Sequence, residues 1–383
     1  LVVVGPRRSG RTTALATVAQ AASAAGLPVH VLHAGRWRWP PGVPVGLRGT
    51  TVAPDDPPRL LRLVQLLTAE RRPDVLLVDD LGTVVDSLAR VPRGAADDLV
   101  ARGPAARLGL GGAGTHRDRR LVDPPGLLVE LGGDPPLGDR PPVAQPPGRG
   151  VTAGAACQVA TPSAAGAPAP PRGAAPLLAL AELPERVTWA DVTTHPLRPQ
   201  GGAGPTASGD HSRRLVVGLG GDQAGPVEVD LSRGLLVVGP AGSGRSSVAA
   251  LVGALAGATC FDPVQRPTAG QVVVLDDADL VLRDRPDLDE LVAGWVRATE
   301  GGDRSAPRPV LTVRTDRAAV AYRGAVGALR SGSPVLVLEP GAPGSAEAAG
   351  VDLSTVWTPT TLRGRAVLAD RGTLVRVQVI APR

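Results

Sequence analysis

The 383-residue sequence contains no methionine, no lysine and no asparagine, and its one isoleucine is Ile380. Phe and Tyr occur once each, while Gly (49) and Pro (40) abound. The scarce residues have A/T-rich codons and the abundant ones G/C-rich codons, so a GC-rich coding sequence accounts for the contrast. All 41 basic residues are consequently Arg, and missing Lys is not by itself a functional signal. Without Met, the sequence is expected to be a piece of a longer chain or to lack its natural start. Five Trp, one Tyr and one Phe are too few to stack a run of unpaired bases, which argues against a single-strand nucleic-acid platform. Two cysteines, Cys157 and Cys260, far apart and outside any CxxC or His/Cys cluster, exclude a disulfide framework and a zinc site. Both are expected to be buried and inert. No stretch of ~18 residues is apolar without a charge, so no transmembrane helix is expected. The N-terminus is an apolar strand running into glycines and lacks the pattern of a signal peptide. A cytosolic setting fits.

The composition, 43% apolar and 20% charged, excludes wholesale disorder. At ~100–200 residues per domain the length predicts two domains. The net charge of +5 sits entirely in residues 1–160, which hold 19 Arg against 14 acidic residues; the rest is balanced. So small an excess permits a phosphate-bearing partner without requiring one.

An internal repeat organises the chain. Leu1-Val-Val-Val-Gly-Pro recurs as Leu235-Leu-Val-Val-Gly-Pro, each entering a glycine loop and then an Ala/Val/Leu-rich helical stretch. Each is followed by an apolar run ending in two aspartates, Val75-Leu-Leu-Val-Asp79-Asp80 and Val272-Val-Val-Leu-Asp276-Asp277. Each half closes with a Gly-Arg pair (Gly148-Arg149, Gly364-Arg365) and a strand containing Gln158-Val159 or Gln378-Val379. The expected organisation is a first domain at 1–160, an Ala/Pro/Gly-rich linker with a docked Leu183-Pro segment at 161–213, and a second domain at 214–383. Continuous Val/Leu runs suit strands buried on both faces, so the fold class is α/β, with mainly parallel sheets covered by helices in each of the two domains.

Gly5-Pro-Arg-Arg-Ser-Gly10-Arg11-Thr12 and Gly239-Pro-Ala-Gly-Ser-Gly244-Arg245-Ser246 both fit G-x-x-x-x-G-[K/R]-[S/T]. The glycines let successive N–H groups turn toward phosphate oxygens, and the following helix adds its positive N-terminal end. Gly5, Ser9, Gly10, Arg11, Thr12 and Thr13, with Gly239, Gly242, Ser243, Gly244, Arg245, Ser246 and Ser247, are the candidate nucleotide phosphate-binding residues. Thr12 and Ser246 are placed to ligate Mg²⁺. Arg stands where such loops carry Lys, and its longer planar head is not equivalent for aligning a transferring phosphoryl group. A glycine turn joining strand to helix without any ligand is the competing reading.

Asp79 and Asp276 suit the Mg²⁺ role at a strand end, and Asp80 and Asp277 the polarisation of attacking water. Asp is a methylene shorter than the Glu many motors use, which predicts weaker hydrolysis. Capping of the strand or turn is the alternative. His116-Arg117-Asp118-Arg119-Arg120 reads as a solvated surface turn that could instead be a sensor or Arg finger. Thr312 and Arg314 could sense a γ-phosphate. Arg149 and Arg365 could be structural or face another subunit, and His30 and His33 read as structural.

These landmarks resemble the FtsK/SpoIIIE superfamily, and most of all the tandem ATPase modules of EccC-type proteins of type VII secretion. The resemblance rests on Val217-Gly-Leu-Gly-Gly-Asp, Gly225-Pro-Val-Glu-Val-Asp-Leu and the second glycine loop, on Leu183-Pro-Glu-Arg-Val, on Pro147-Gly-Arg-Gly150 and on Cys157-Gln-Val-Ala160. Leu362-Arg-Gly-Arg365 and Val375-Arg-Val-Gln-Val379 repeat the last two more loosely. It covers nearly the whole chain apart from 161–180, and the first module lacks its leading strands, so the sequence is expected to begin partway into a domain. The resemblance implies a RecA-like fold, ATP with Mg²⁺, ring-forming homo-oligomers, and a full-length protein on the cytoplasmic face of the plasma membrane, with no membrane contact from the present residues. FtsK and SpoIIIE members move double-stranded DNA, whereas EccC members power or gate protein export and have distal modules that are often catalytically degenerate. Arg11, Arg245 and the Asp-Asp strand ends match that degenerate pattern. Three readings follow: a weakly hydrolysing ATP-binding secretion module acting on a secreted protein substrate, a double-stranded DNA translocase, or a scaffold that has lost nucleotide. The arginine loops and the neutral second half weigh against the translocase, and the retained Gly and Ser/Thr positions weigh against the scaffold.

Overall fold

The computed structural model describes residues 1–35, 37–69, 73–89, 109–118, 126–132, 146–163, 177–196, 214–260, 267–356 and 362–381. The chain divides into two compact units, Leu1–Leu180 and Ala181–Arg383. Most of the Ala/Pro/Gly-rich stretch, the patch at 199–212, and Arg119 and Arg120 lie outside the described residues.

The first unit contains β1 (Val2–Val4), α1 (Arg11–Ala24), β2 (Val29–His33), β3 (Arg48–Val52), α2 (Pro57–Ala69), β4 (Val75–Asp79), α3 (Leu81–Leu88), β5 (Gly109–Gly114), β6 (Leu128–Leu131), β7 (Arg149–Thr152) and β8 (Ala155–Gln158). Its eight strands form one sheet in the order β3-β2-β4-β5-β1-β6-β7-β8. Pairing is parallel from β3 to β6 and antiparallel from β6 to β8. Successive strand residues feed opposite cores. Val2, Val4, Leu76 and Val78 pack with Leu60, Leu63 and Leu67 of α2. Val3, Val75 and Leu77 pack with Ala14, Leu15 and Ala19 of α1. Both faces are covered, which is why the strands read as unbroken apolar runs. One polar residue within these runs, His30, is fully buried on β2. Its Nδ1 accepts from the Thr50 backbone N–H at 3.1 Å, and its Nε2 lies 3.4 Å from Asp74 Oδ2. His30 thus ties β2 to β3 and to the entry of β4, a structural role.

The second unit contains α4 (Trp189–Thr193), β9 (Arg214–Gly220), β10 (Gly225–Asp230), β11 (Leu235–Gly239), α5 (Arg245–Ala256), β12 (Thr259–Cys260), β13 (Val272–Leu275), α6 (Ala278–Val281), α7 (Pro286–Glu300), β14 (Arg308–Arg314), α8 (Thr315–Ala319), α9 (Gly324–Gly332), β15 (Val335–Leu338), α10 (Ser345–Ala349), β16 (Arg365–Asp370) and β17 (Thr373–Val379). The nine-stranded sheet runs β10-β9-β17-β16-β15-β11-β14-β13-β12. Pairing is parallel from β15 through β11 to β12 and antiparallel on the β16-β17-β9-β10 flank. Leu236 and Val238 face the core under α7 and α9, while Leu235 and Val237 face the core under α5.

The two sheets repeat one topology. β1, β5, β4, β6, β7 and β8 take the places of β11, β14, β13, β15, β16 and β17. Even the closing turns match: Val159 N donates to Gly148 O at 2.8 Å and Val379 N to Gly364 O at 2.9 Å. The neighbouring glutamines repeat too, Gln158 donating to Pro147 O and Gln378 to Arg363 O. β9 and β10 belong to the second unit alone. The Leu183-Pro segment lies along this unit: Leu183 O accepts from Arg365 Nη2 at 3.2 Å, and Val187 O accepts from Ala381 N at 2.8 Å. Thr188 and Asp191 then form a capping box that starts α4. Cys157, expected to be buried, is half-exposed because β8 is the sheet's edge strand. The Cys260 side chain lies outside what the structure describes.

Candidate functional site

Each glycine loop leaves the end of a buried central strand flanked by two parallel neighbours, β1 between β5 and β6, and β11 between β14 and β15. In open α/β sheets the crevice beyond such strand ends is where ligands bind. Gly5 is required because the loop folds onto it: a Cβ there would meet Ser9 Oγ at 2.6 Å and Leu131 O at 2.8 Å. Ser243 and Leu338 crowd Gly239 in the same way. Gly10 and Gly244 both sit at φ +97 as N-caps of α1 and α5, a conformation open to glycine. The Ser9 N–H to Pro6 O bond and its counterpart, Ser243 N–H to Pro240 O, are both 3.3 Å long.

The hydroxyls of Ser9 and Ser243 are buried and have no hydrogen-bond partner. So is Nη1 of Arg11. These orphaned donors stand at helix N-termini whose first N–H groups also lack intrahelical acceptors. That combination is the chemistry of an anion cradle, and it fits phosphate. Thr12, Thr13 and Ser246 are exposed on the first helical turns, Ser247 is half-exposed, and Gly242 forms the exposed tip of the second loop at φ +80.

In the first unit Thr12 Oγ1 donates to Asp79, at 3.0 Å from Oδ2 and 3.2 Å from Oδ1. Burial raises the Asp79 pKa, Thr12 and Arg11 pull it down, Asp80 adds to the rise, and His33 opposes it. A partly buried carboxylate beside a hydroxyl is a suitable pair of oxygen ligands for Mg²⁺, which keeps most of its other positions for water and phosphate. No group of three or more His, Cys, Asp or Glu able to hold a metal occurs among the described residues. Asp80 sits at φ +69 and caps α3, its Oδ1 accepting from Thr83 N at 3.4 Å.

The second unit is wired differently. Thr312 of β14 is fully buried; it donates to Asp276 Oδ1 at 2.5 Å and accepts from Asp277 N at 2.8 Å. Arg245 turns back to the strand end, with Nη2 2.8 Å from Asp277 Oδ1 and Nη1 3.9 Å from Asp279 Oδ1. Asp279 Oδ1 also accepts from Arg314 N at 3.4 Å. A cavity of about 620 Å³ runs from Ser246 and Asp276 along Ala249, Ala250 and Gly253 of α5.

Asp279 was not singled out by sequence; the visible signal is the third acid in Asp276-Asp277-Ala-Asp279. Nor was the placement of the closing turn, where Gly148 N donates to Ser9 O at 2.7 Å and so packs on the first loop. At Gly244, by contrast, nothing among the described residues lies within 4 Å of a Cβ position. Arg314, proposed as a sensor, is exposed and paired with Asp316 at 3.0 Å. His116 and Arg117 are exposed in a turn closed by Asp118 on Thr115. Arg149 is exposed, and Arg365 is half-buried on Leu183 O.

Two repeated α/β units, each with a strand–glycine loop–helix element beside an acidic strand end, define the fold of a tandem P-loop ATPase. Among solved structures, the chain is similar over its whole length to ATPases 2 and 3 of Thermomonospora curvata EccC in complex with a signal sequence peptide, with a TM-score of 0.53, 16% identity and 88% of that chain covered. It is similar to ATPases 2 and 3 of EssC from Geobacillus thermodenitrificans, with a TM-score of 0.53, 12% identity and 91% covered. It also matches the cytoplasmic domain of the T. curvata type VII secretion ATPase EccC, with a TM-score of 0.52 and 15% identity, and spans 56% of that longer chain. No protein-family model matches the sequence. No curated protein matches it either. At these identities the shared property is the fold, and it is the fold that the sequence resemblance implied. No helix among the described residues is long and apolar enough to cross a membrane.

Proposed function

We propose that the chain is an ATP-binding tandem module of a type VII secretion ATPase, with weak hydrolysis. The observation that carries this reading is the pair of buried, partnerless serine hydroxyls, each set in a glycine loop at a helix N-terminus. Gly5, Ser9, Gly10, Arg11, Thr12 and Thr13 would hold phosphates in the module at 1–160. Gly239, Gly242, Ser243, Gly244, Arg245, Ser246 and Ser247 would do so in the module at 214–383, with 161–213 joining them. Mg²⁺ would be held by Thr12 and Asp79, and by Ser246 and Asp276; when bound it neutralises charge on the β- and γ-phosphates. Asp80 and Asp277 are the candidates to polarise water. Their other engagements, a helix cap at Asp80 and an ion pair at Asp277, support slow turnover. Two further parts of the proposal are assembly through the full-length protein into a ring at the cytoplasmic face of the membrane, and a secreted protein as substrate. The signal sequence peptide held by the structurally similar EccC supports that substrate class.

The test is steady-state ATP turnover by the chain with Mg²⁺ at low salt, with and without long duplex DNA. Slow turnover indifferent to DNA supports the proposal. Turnover that rises sharply with DNA overturns it in favour of a DNA translocase.

A further inference from the structure

Resting on the nucleotide-binding reading, we propose that Arg245, Asp277 and Asp279 form an internal lock: the chain's own carboxylates hold the guanidinium of the second loop, and a phosphate must displace Asp277 to reach it. The Arg245 side chain is only 10% exposed. A guanidinium so far from water requires an anion. Asp277 supplies it at 2.8 Å from Nη2, while Nη1, 3.9 Å from Asp279 Oδ1, has no hydrogen-bond partner among the described residues, so Asp277 is the contact that holds the planar fork. The two carboxylates differ in freedom. Asp279 is 6% exposed and is also fastened to Arg314 N. Asp277 is 45% exposed and sits at the start of the short α6, which makes it the exchangeable partner. The first unit has no such lock. No ion pair within 4 Å joins Arg11 to Asp79 or Asp80, and the Asp80 carboxylate is engaged by Thr83 N, capping α3. The two loops, alike in sequence, are therefore inequivalent: among the described residues the first has no ion pair on its Arg to displace, and the second meets an anion by exchange with Asp277.

The test is hydrogen exchange on the full 383-residue chain, read separately on peptides from the first loop (5–20) and the second (239–255), during titration with Mg²⁺ and ATP. Asp277→Asn is the variant of choice, because Asn tolerates the φ of +47 at this position. Without nucleotide, the variant should exchange faster in the first turn of α5. With nucleotide, its second loop should reach half-protection at about fivefold lower ATP, the size expected for a partly exposed ion pair. The first loop should titrate as in the parent. An unmoved or raised midpoint at a second loop that does bind ATP overturns the lock while leaving the nucleotide reading intact. Equal tightening at the first loop in Asp80→Asn would reduce the effect to loss of a nearby charge and likewise overturn it. A second loop that ATP protects in neither chain overturns both the competition and the nucleotide reading there.

Discussion

Ser243→Ala should make the free protein more stable and its response to ATP smaller. The Ser243 hydroxyl is buried, with no hydrogen-bond partner among the described residues. An unsatisfied buried hydroxyl costs about 1–3 kcal/mol, so its removal should return about 1 kcal/mol once the small space it leaves is counted. In a unit of about 200 residues that is a rise in Tm of ~2–4 °C. Under the proposed function the same hydroxyl would donate to a phosphate oxygen. Losing one hydrogen bond to a charged acceptor costs about 1.5–3 kcal/mol, which weakens ATP roughly tenfold or more. The ATP-induced rise in Tm should therefore shrink while the ligand-free Tm grows. Thermal unfolding with and without saturating ATP and Mg²⁺ measures both. A ligand-free Tm below the parent's would show that Ser243 is structurally engaged, and an undiminished ATP response would show that it does not face phosphate. Either result refutes the reasoning.

Asp79→Asn should raise Tm at pH 7, with the gap closing as pH falls. The folded pKa of Asp79 is raised chiefly by burial, so its contribution to stability is present below the unfolded value near 3.8 and is lost as pH rises through the folded value. A variant less stable than the parent at pH 7 would contradict this. Gly5→Ala should destabilise by about 1–3 kcal/mol, since the new Cβ would lie 2.6 Å from Ser9 Oγ and 2.8 Å from the Leu131 carbonyl, which denaturant titration checks. Thr312→Val keeps the shape but leaves Asp277 N and Asp276 Oδ1 without their partner, and should cost about 1–3 kcal/mol by the same titration.

The fold was legible because its determinants are local. The runs Leu235–Val238 and Val75–Val78 divide between two cores, and a strand covered on both faces leaves that signature. The glycine loops were legible because Gly5, Gly10, Gly239 and Gly244 answer to backbone geometry and crowding within the loop itself. The duplication was visible as well, down to the closing Gly-Arg turns. What sequence hid is tertiary. Nothing in the spacing says that Thr312 reaches Asp276 at the end of the neighbouring strand, or that Asp277 and Asp279 both lie beside Arg245. Two loops of nearly equal sequence thus acquire different electrostatic partners. Cys157 illustrates the same limit: an isolated cysteine is expected to be buried, and the edge position of β8 leaves it half-exposed.

The central claim is that the glycine loops hold nucleotide phosphates. Its most direct test is calorimetric titration of the full chain with ATP in the presence of Mg²⁺, repeated with inorganic pyrophosphate in excess. Saturable binding that pyrophosphate abolishes is the expected result, because both ligands would occupy the same loop donors. The contradicting result is no saturable binding up to millimolar ATP, or binding that pyrophosphate leaves untouched.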